Sequence, residues 1–232
     1  MGGYVEYYGY MAVAGVLSLI GMYISGQLKS RFKKYSRMPV ASGLSGAEIA
    51  QQMLHHYGIF NVNIVEGRGV LTDHYNPQSK TVSLSPEVFH GRSVAAAAVA
   101  AHECGHAVQH AQAYAMLQFR SAIVPVVQFS ANIQQFILLA AFLLLNQFPQ
   151  IMLIAIITFA ITTLFSFVTL PVEFDASKRA LAWLNETGNT RGQEYEGAKD
   201  ALKWAAMTYV SAALSSLVML LYLVLRYMGS RD

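Results

Sequence analysis

The chain has 232 residues, of which 54% are hydrophobic and only 12% are charged. This charged share is about half of that in ordinary soluble domains, so the composition excludes a conventional soluble protein. The net charge of +3 requires no nucleic-acid partner, and a single cysteine excludes a disulfide within the chain, which is compatible with hydrophilic parts in the reducing cytoplasm.

Four apolar segments are long enough to cross the hydrocarbon core of a bilayer, which requires about 20 residues of helix. They are residues 4–26, 122–145, 150–170 and 205–227. The first segment has neither a basic n-region nor a clear small-residue cleavage site. We therefore expect a retained membrane anchor and not a signal peptide.

Basic residues predict the orientation of these spans. Fourteen of the 16 Lys and Arg residues lie in two hydrophilic segments, 29–120 and 171–204, and the loop 146–149 has none. The positive-inside rule places both segments in the cytoplasm, so we expect a multi-pass plasma-membrane protein whose hydrophilic segments, and any site they contain, face the cytoplasm. The predicted parts are a transmembrane anchor (1–28), a cytoplasmic domain (29–120), a transmembrane hairpin (121–170), a cytoplasmic helical segment (171–204) and a C-terminal transmembrane helix (205–232).

The cytoplasmic domain is predicted to contain an amphipathic helix near its start. Ser45 and Glu48 have the spacing of a capping box, in which the serine is the N-cap and the glutamate bonds back to it. Gly58 is expected to end the helix. Apolar residues at helical spacing form one face of it, namely Ile49, Ala50, Met53, Leu54 and Tyr57.

Short alternating segments at 61–66, 70–75 and 80–85 predict a small sheet of two or three strands. An exposed edge of such a sheet can pair with an extended peptide, although the sheet can equally serve only to support the next helix. His74 lies in the hairpin between the last two segments. It is either an oxyanion donor or an ordinary surface histidine.

The next predicted helix starts at Ser93, which is a suitable N-cap, and continues towards Arg120. Its first two turns are alanine-rich, so they favour a helix and let other elements approach closely. Pro125 is expected to break or kink the chain where it enters the second span.

Residues 102–106 of this helix read His-Glu-Cys-Gly-His. His102 and His106 are four positions apart, so both imidazoles lie on one helix face and can bind the same metal ion. Glu103 lies about 100° round the helix, where its carboxylate can take a proton from a metal-bound water whose pKa is lowered to about 7. This HExxH spacing is typical of zinc metalloproteases, although an ordinary helix with two surface histidines can match it by chance.

Three neighbours of the histidine pair are not expected to be metal ligands. Cys104 lies about 200° from His102, so we predict a packing role. His110 is about 12 Å along the helix axis from His102, which is too far for both rings to share one zinc. The longer HExxHxxGxxH pattern fails because Gln109 and Gln112 occupy its later positions, so the third ligand must come from elsewhere.

Glu173 follows the predicted transmembrane hairpin and lies on the same side of the membrane as the histidines. Two histidines and a glutamate that leave one position open for water form a standard catalytic zinc site. We favour Glu173 as the third ligand over Asp175, or over a solvated pair of carboxylates at a helix start. Asp175 or Ser177 is expected to orient a ligating imidazole.

Four short motifs carry a resemblance to a known family, namely DHYNP (73–77), LSPEV (84–88), AHECGHA (101–107) and LPVEFDAS (170–177). By these motifs, in this order among membrane spans, the sequence resembles the bacterial YugP-like neutral zinc metallopeptidases. The resemblance covers nearly the whole chain and implies a membrane zinc endopeptidase with His102 and His106 as ligands and Glu103 as the catalytic residue. Membrane metalloproteases of the CAAX-processing and heat-shock types are more loosely similar. By their pattern Glu173 is the third ligand, but Ser177 stands where those proteins have a supporting Asp.

We therefore predict an α-helical membrane protein with about four transmembrane helices and a small α+β zincin-like, gluzincin-like cytoplasmic domain that binds Zn²⁺. Its expected activity is hydrolysis of membrane or membrane-proximal polypeptides by Glu103-assisted attack of zinc-bound water. The alternative is a non-catalytic membrane scaffold or adaptor with a structural zinc site or none. Metal transport would place ligands inside the spans, and none of the 7 histidines lies in one.

Overall fold

A computed structural model describes residues 2–144, 148 and 150–229, with the side chains of the first helix described from residue 8 onward. The predicted outer loop 146–149 therefore lies, except for residue 148, outside the described residues. The described chain is mostly helical. Its elements are α1 (Gly2–Tyr35), α2 (Gly46–His56), β1 (Asn63–Glu66), β2 (His74–Asn76), β3 (Thr81–Leu84), α3 (Pro86–Phe89), α4 (Val94–Ala111), α5 (Ala115–Leu144), α6 (Gln150–Glu186) and α7 (Gln193–Gly229).

Four of these helices, α1, α5, α6 and α7, are long and apolar enough to cross a membrane, which confirms the predicted number of spans. All four extend beyond the predicted spans, and α6 and α7 do so by the most residues. α6 continues through Pro171 to Glu186, and α7 already begins at Gln193. The hydrophilic segment 171–204 is thus mostly a continuation of these two helices.

The sequence predicts a break or kink at Pro125, but the break between the metal-motif helix and the second span lies earlier in the chain. α5 runs through Pro125 without interruption. The chain instead leaves the helical conformation after Ala111, because Gln112 caps α4 with φ −90° and ψ 8° and Ala113 adopts a left-handed φ of 53°.

The chain divides into two compact units. One comprises Met1–Ile24, Phe119–Leu170 and Thr208–Asp232, and the other comprises Ser25–Gln118 and Pro171–Met207. We call them the apolar unit and the catalytic-motif unit. Within the apolar unit, buried apolar side chains form a core: Leu138, Ala141, Phe142, Met152, Ala155, Phe159, Met219 and Leu223.

The core of the catalytic-motif unit is built around α4, whose alanine-rich first half is almost completely buried. Ser93 caps α4 as predicted, since its Oγ accepts a hydrogen bond from the Ala96 N–H at 3.2 Å. α2 packs on α4 with the predicted face, and its capping box is present: Ser45 Oγ accepts from the Glu48 N–H, and the Ser45 N–H donates to the Glu48 carboxylate. Four of the five predicted face residues are fully buried, and Tyr57 is partly exposed.

The sheet has three strands in the order β1-β3-β2. β3 is central; it is parallel to β1 and antiparallel to β2. The second strand is shorter than predicted and begins at His74 instead of residue 70. The preceding segment cannot be extended, because Gly69 and Leu71 adopt positive φ values of 96° and 55°.

Candidate metal centre

The structure brings together His102 and His106 of α4 and Glu173 of α6. The Nε2 atoms of His102 and His106 lie 3.3 and 3.6 Å from Glu173 Oε2. The two imidazole rings are nearly perpendicular, at 82°, with centroids 4.9 Å apart. One potential ligand atom from each of the three residues lies within 4.8 Å of the others, so a single ion can reach all three.

Glu173 is not one of a pair of solvated carboxylates at a helix start. It lies inside α6, beyond Pro171, and is only 2% exposed. Within the described chain its buried Oε2 atom accepts no hydrogen bond, although two imidazole nitrogens are close to it. A buried carboxylate oxygen is costly unless a cation or donor satisfies it.

Gly105 allows α4 and α6 to approach closely enough to form this cluster. A Cβ atom at position 105 would lie 2.6 Å from the carbonyl oxygen of Ala176 and 3.1 Å from its Cα. Any side chain there would therefore push the helices apart. The glycine is part of the HExxH motif, but the general pattern leaves its position open.

Contacts along the two helices follow an antiparallel order. His102 contacts Ser177, and four residues later His106 contacts Glu173, four residues earlier on α6. Gly105 approaches Ala176, and Gln109 in the same way reaches Val172. Because successive turns of α4 face successive turns of α6, both histidines lie against α6.

The outer nitrogen of each imidazole has its own partner. Nδ1 of His102 lies 3.1 Å from the Ser177 hydroxyl, and Nδ1 of His106 lies 3.0 Å from Gln109 Oε1. The Gln109 amide nitrogen donates to the Val172 carbonyl and to Asp175 Oδ2, each at 2.8 Å. These contacts leave the Nε2 atoms of both rings facing Glu173.

Negative charge also surrounds His106. Burial by itself would lower the pKa of His106, but contact with Glu173 and the charge of Glu103 outweigh burial, so that the pKa is raised. Glu103 itself is 8% exposed and follows His102 directly on α4. A cation would be stabilised by this arrangement of two carboxylates.

The residues present fit a divalent metal such as zinc. Two imidazoles and one carboxylate are a known donor set for catalytic zinc, and three protein ligands leave a position for water. The unsatisfied Glu173 Oε2 provides an independent sign, because it points at both imidazoles without a hydrogen bond. Both outer imidazole nitrogens face an oxygen atom that can accept their proton, and metal-ligating histidines usually donate this proton to an acceptor.

The other candidate residues lie outside this cluster. Asp175 accepts hydrogen bonds from Gln109 and Arg179, and His110 bonds to the Tyr75 hydroxyl at 2.8 Å. His74 is exposed and its Nδ1 lies 2.8 Å from the Thr72 carbonyl. Cys104 is buried with its thiol towards the Ala50 carbonyl, and burial raises its pKa.

The sequence pattern does not identify Gln109 and Gly105 as functional residues. In the sequence Gln109 is only a mismatch to a longer zinc-binding pattern, yet it is fully buried and contacts a metal-motif histidine. Its position three residues after His106, on the same helix face, was the available signal.

The descriptions of similar proteins agree with the presence of a candidate metal centre. Residues 10–228 match the profile of a family described as "Putative neutral zinc metallopeptidase". The chain is also 42% identical over 206 residues to "Putative membrane protease YugP" of Bacillus subtilis (strain 168), an alignment that covers 89% of this chain and 91% of that protein. No solved structure matches the chain.

Proposed function

The chain belongs to this neutral zinc metallopeptidase family, and we propose that it is a membrane-embedded zinc endopeptidase of gluzincin type. His102, His106 and Glu173 are the proposed zinc ligands, and Glu103 is the proposed catalytic residue. The observation that carries the proposal is the meeting of three potential ligand atoms within 4.8 Å, one of them a buried carboxylate oxygen that accepts no hydrogen bond in the described chain.

Zinc at this site would supply a Lewis acid for the scissile carbonyl and a water of lowered pKa. The protein's part is then general acid–base catalysis. Glu103 accepts the proton of the attacking water and later passes it to the leaving amine. Its low exposure supports this role, because a carboxylate shielded from bulk water holds a proton near the reacting atoms without exchanging it with solvent.

The proposed substrate is a membrane or membrane-proximal polypeptide, since the site belongs to a chain with four candidate membrane-spanning helices. We propose that strand β2 holds the substrate. Among the described residues β2 pairs only with β3, so its other edge is available for an extended peptide. Tyr75 of β2 bonds to His110 of α4, which positions this edge beside the metal-motif helix.

We also propose that the site faces the cytoplasm from the plasma membrane. Support comes from the distribution of basic residues, fourteen of the 16 lying in the two predicted cytoplasmic segments. The catalytic-motif unit contains the same two segments almost entirely.

Replacement of Glu103 by Gln tests the proposal. The purified Glu103→Gln protein should keep its bound zinc but lose proteolysis, because the metal ligands remain and the proton acceptor is gone. The proteomes of membrane fractions from cells with the wild-type or the Glu103→Gln protein should differ in the abundance of uncleaved substrates. Glu87→Gln, at an exposed glutamate of α3, is the matched control and should behave as wild type.

Identical membrane proteomes for the wild type and Glu103→Gln, together with intact zinc binding, would contradict the protease and favour a scaffold with a structural zinc. Absence of bound zinc in the wild type would contradict the metal site itself.

A further inference from the structure

We propose that Gln109 is a positioning residue that determines which ring nitrogen of His106 carries the proton. By this proposal the neutral His106 ring is protonated at Nδ1 and presents the free electron pair of Nε2 to the space beside Glu173. The inference deepens the proposed metal site, but it concerns the protein's own hydrogen bonds and can be tested without metal.

The orientation of the Gln109 amide follows from its surroundings. Its Nε2 atom lies 2.8 Å from the Val172 carbonyl oxygen and 2.8 Å from Asp175 Oδ2. A carbonyl and an ionised carboxylate can only accept hydrogen bonds, so the group between them must be the –NH₂ end. A flipped amide would place its oxygen against two acceptors inside the protein, where Gln109 is 0% exposed.

The amide oxygen therefore faces His106. Oε1 lies 3.0 Å from His106 Nδ1, and an amide oxygen can only accept. Nδ1 must then donate, and in a neutral imidazole the other nitrogen is left without a proton. That nitrogen, Nε2, is the one that lies 3.6 Å from Glu173 Oε2.

The opposite tautomer is disfavoured at Nδ1. It would turn the electron pair of Nδ1 towards the electron pairs of Gln109 Oε1 at 3.0 Å, with no donor available at that end of the amide. At Nε2 the Glu173 carboxylate favours a proton, but Nε2 and Oε2 are 3.6 Å apart and form no hydrogen bond, whereas the contact of Nδ1 with Oε1 has hydrogen-bond length. A metal ion at this place would require the electron pair of Nε2.

Asp175 acts through the same chain of contacts. Arg179 Nε donates to Asp175 Oδ2 at 2.5 Å, and its Nη1 donates to Gln112 Oε1 at 2.6 Å. The carboxylate is thus held where it accepts from Gln109. This gives Asp175 a positioning role two steps away from the imidazole and not a place among the ligands.

The contact made by His102 does not fix its tautomer in the same way. Its Nδ1 lies 3.1 Å from the Ser177 hydroxyl, which can either donate or accept. The Ser177 contact therefore permits both tautomers of His102. We therefore expect a single tautomer in the metal-free protein for His106 but not for His102, and the experiment measures the tautomer of His106.

The test is ¹⁵N NMR spectroscopy of the full-length, metal-free protein in detergent, labelled at histidine and recorded at alkaline pH. The His106 signals are assigned by their loss in His106→Asn. We expect one protonated Nδ1 and one unprotonated Nε2 for His106. A predominant Nε2-protonated form, or an even mixture in the wild type, would overturn the proposal, and this measurement depends on no variant of Gln109.

Gln109→Leu should convert His106 to a mixture of tautomers and weaken zinc binding in a chelator competition by about 10- to 100-fold, as loss of an outer-shell partner does elsewhere. Gln52→Leu is the matched control, because Gln52 is an exposed glutamine of helix α2 and takes no part in these contacts. Equal zinc affinities for Gln109→Leu and Gln52→Leu would overturn the proposal.

These outcomes separate the two proposals. A protein with the expected His106 tautomer and zinc affinity but no proteolysis would contradict the proposed function alone. A proteolytic protein with the opposite tautomer would contradict the role of Gln109 alone.

Discussion

Glu173 is the residue whose loss should harm metal binding most. It is the single carboxylate in the candidate ligand set, and Oε2 is close to both Nε2 atoms. Glu173→Gln should lower zinc affinity by more than the about 10- to 100-fold expected for an outer-shell partner. Chelator competition measures this, with Glu186→Gln at the exposed end of α6 as the control. Unchanged affinity in Glu173→Gln would rule out Glu173 as a ligand.

The thiol of the single cysteine should not react with thiol reagents in the folded protein. The Cys104 thiol is completely buried, and burial raises its pKa, so neither access nor thiolate is available. We expect mass spectrometry to find no maleimide adduct on the native protein and one adduct after denaturation in SDS. Rapid labelling of the native protein would show that the α2–α4 packing around Cys104 is wrong.

At the scale of single residues, the sequence was sufficient to nominate the cluster but not its support. Helical spacing pointed to His102 and His106, and the position of Glu173 after a predicted hairpin suggested a third acid. Gln109 could not be assigned, because its role depends on the Val172 carbonyl and on Asp175, both on another helix. Spacing within one helix carries no information about partners on a second.

At the scale of elements, the contact between α4 and α6 depends on Gly105. Gly105→Ala would place a methyl group 2.6 Å from the Ala176 carbonyl oxygen, which belongs to the backbone and cannot rotate away. We expect a loss of about 1–3 kcal/mol in stability from overpacking, together with weaker zinc binding.

Thermal unfolding in detergent and chelator competition measure both effects. The control is Gly26→Ala, since an added Cβ at this helical glycine meets nothing within 4 Å. Because alanine has a higher helix propensity than glycine, the Gly26→Ala protein should be as stable as the wild type or slightly more stable. Wild-type behaviour of Gly105→Ala would contradict the close approach.

The start of α4 should also contribute measurably to stability. Ser93→Ala removes the acceptor for the Ala96 N–H, and loss of such a cap costs about 1 kcal/mol. The midpoint of thermal unfolding should fall, whereas Ser79→Ala at an exposed turn position should leave it unchanged. A Ser93→Ala protein as stable as the wild type would mean that another group satisfies the Ala96 N–H.

Local signals predicted the helix starts better than the helix breaks. Ser45 with Glu48, and Ser93, are residue types that cap helices through their own side chains, so the sequence reveals them. The break after α4 depends on the left-handed conformation of Ala113, for which alanine gives no signal. Pro125 does not interrupt α5, because helices in apolar surroundings often tolerate proline.

At the scale of the whole molecule, the proposed topology can be tested with introduced thiols. Ser79→Cys and Glu186→Cys place cysteines at exposed positions of the two predicted cytoplasmic segments. A membrane-impermeant maleimide should label both in inverted membrane vesicles and neither in intact cells without an outer membrane. Labelling of either site from outside the cells would contradict the cytoplasmic site.

Composition determined the number of spans, since apolar runs of sufficient length are visible without any knowledge of packing. The order of the strands in the sheet could not be predicted from the sequence. β1 pairs with β3 and not with its neighbour along the chain, and such pairing depends on tertiary contacts that short strands do not specify.

The antiparallel matching of α4 and α6 has a consequence for how the chain can change in length. Adding or deleting one residue inside 102–109 or 172–177 would rotate the residues after it by about 100° relative to those before it, so that His102, His106 and Gln109 could no longer all face α6. We therefore expect insertions and deletions in these two stretches to destroy the candidate metal centre. They should be tolerated in the segments 67–73 and 187–192, which no helix or strand register constrains.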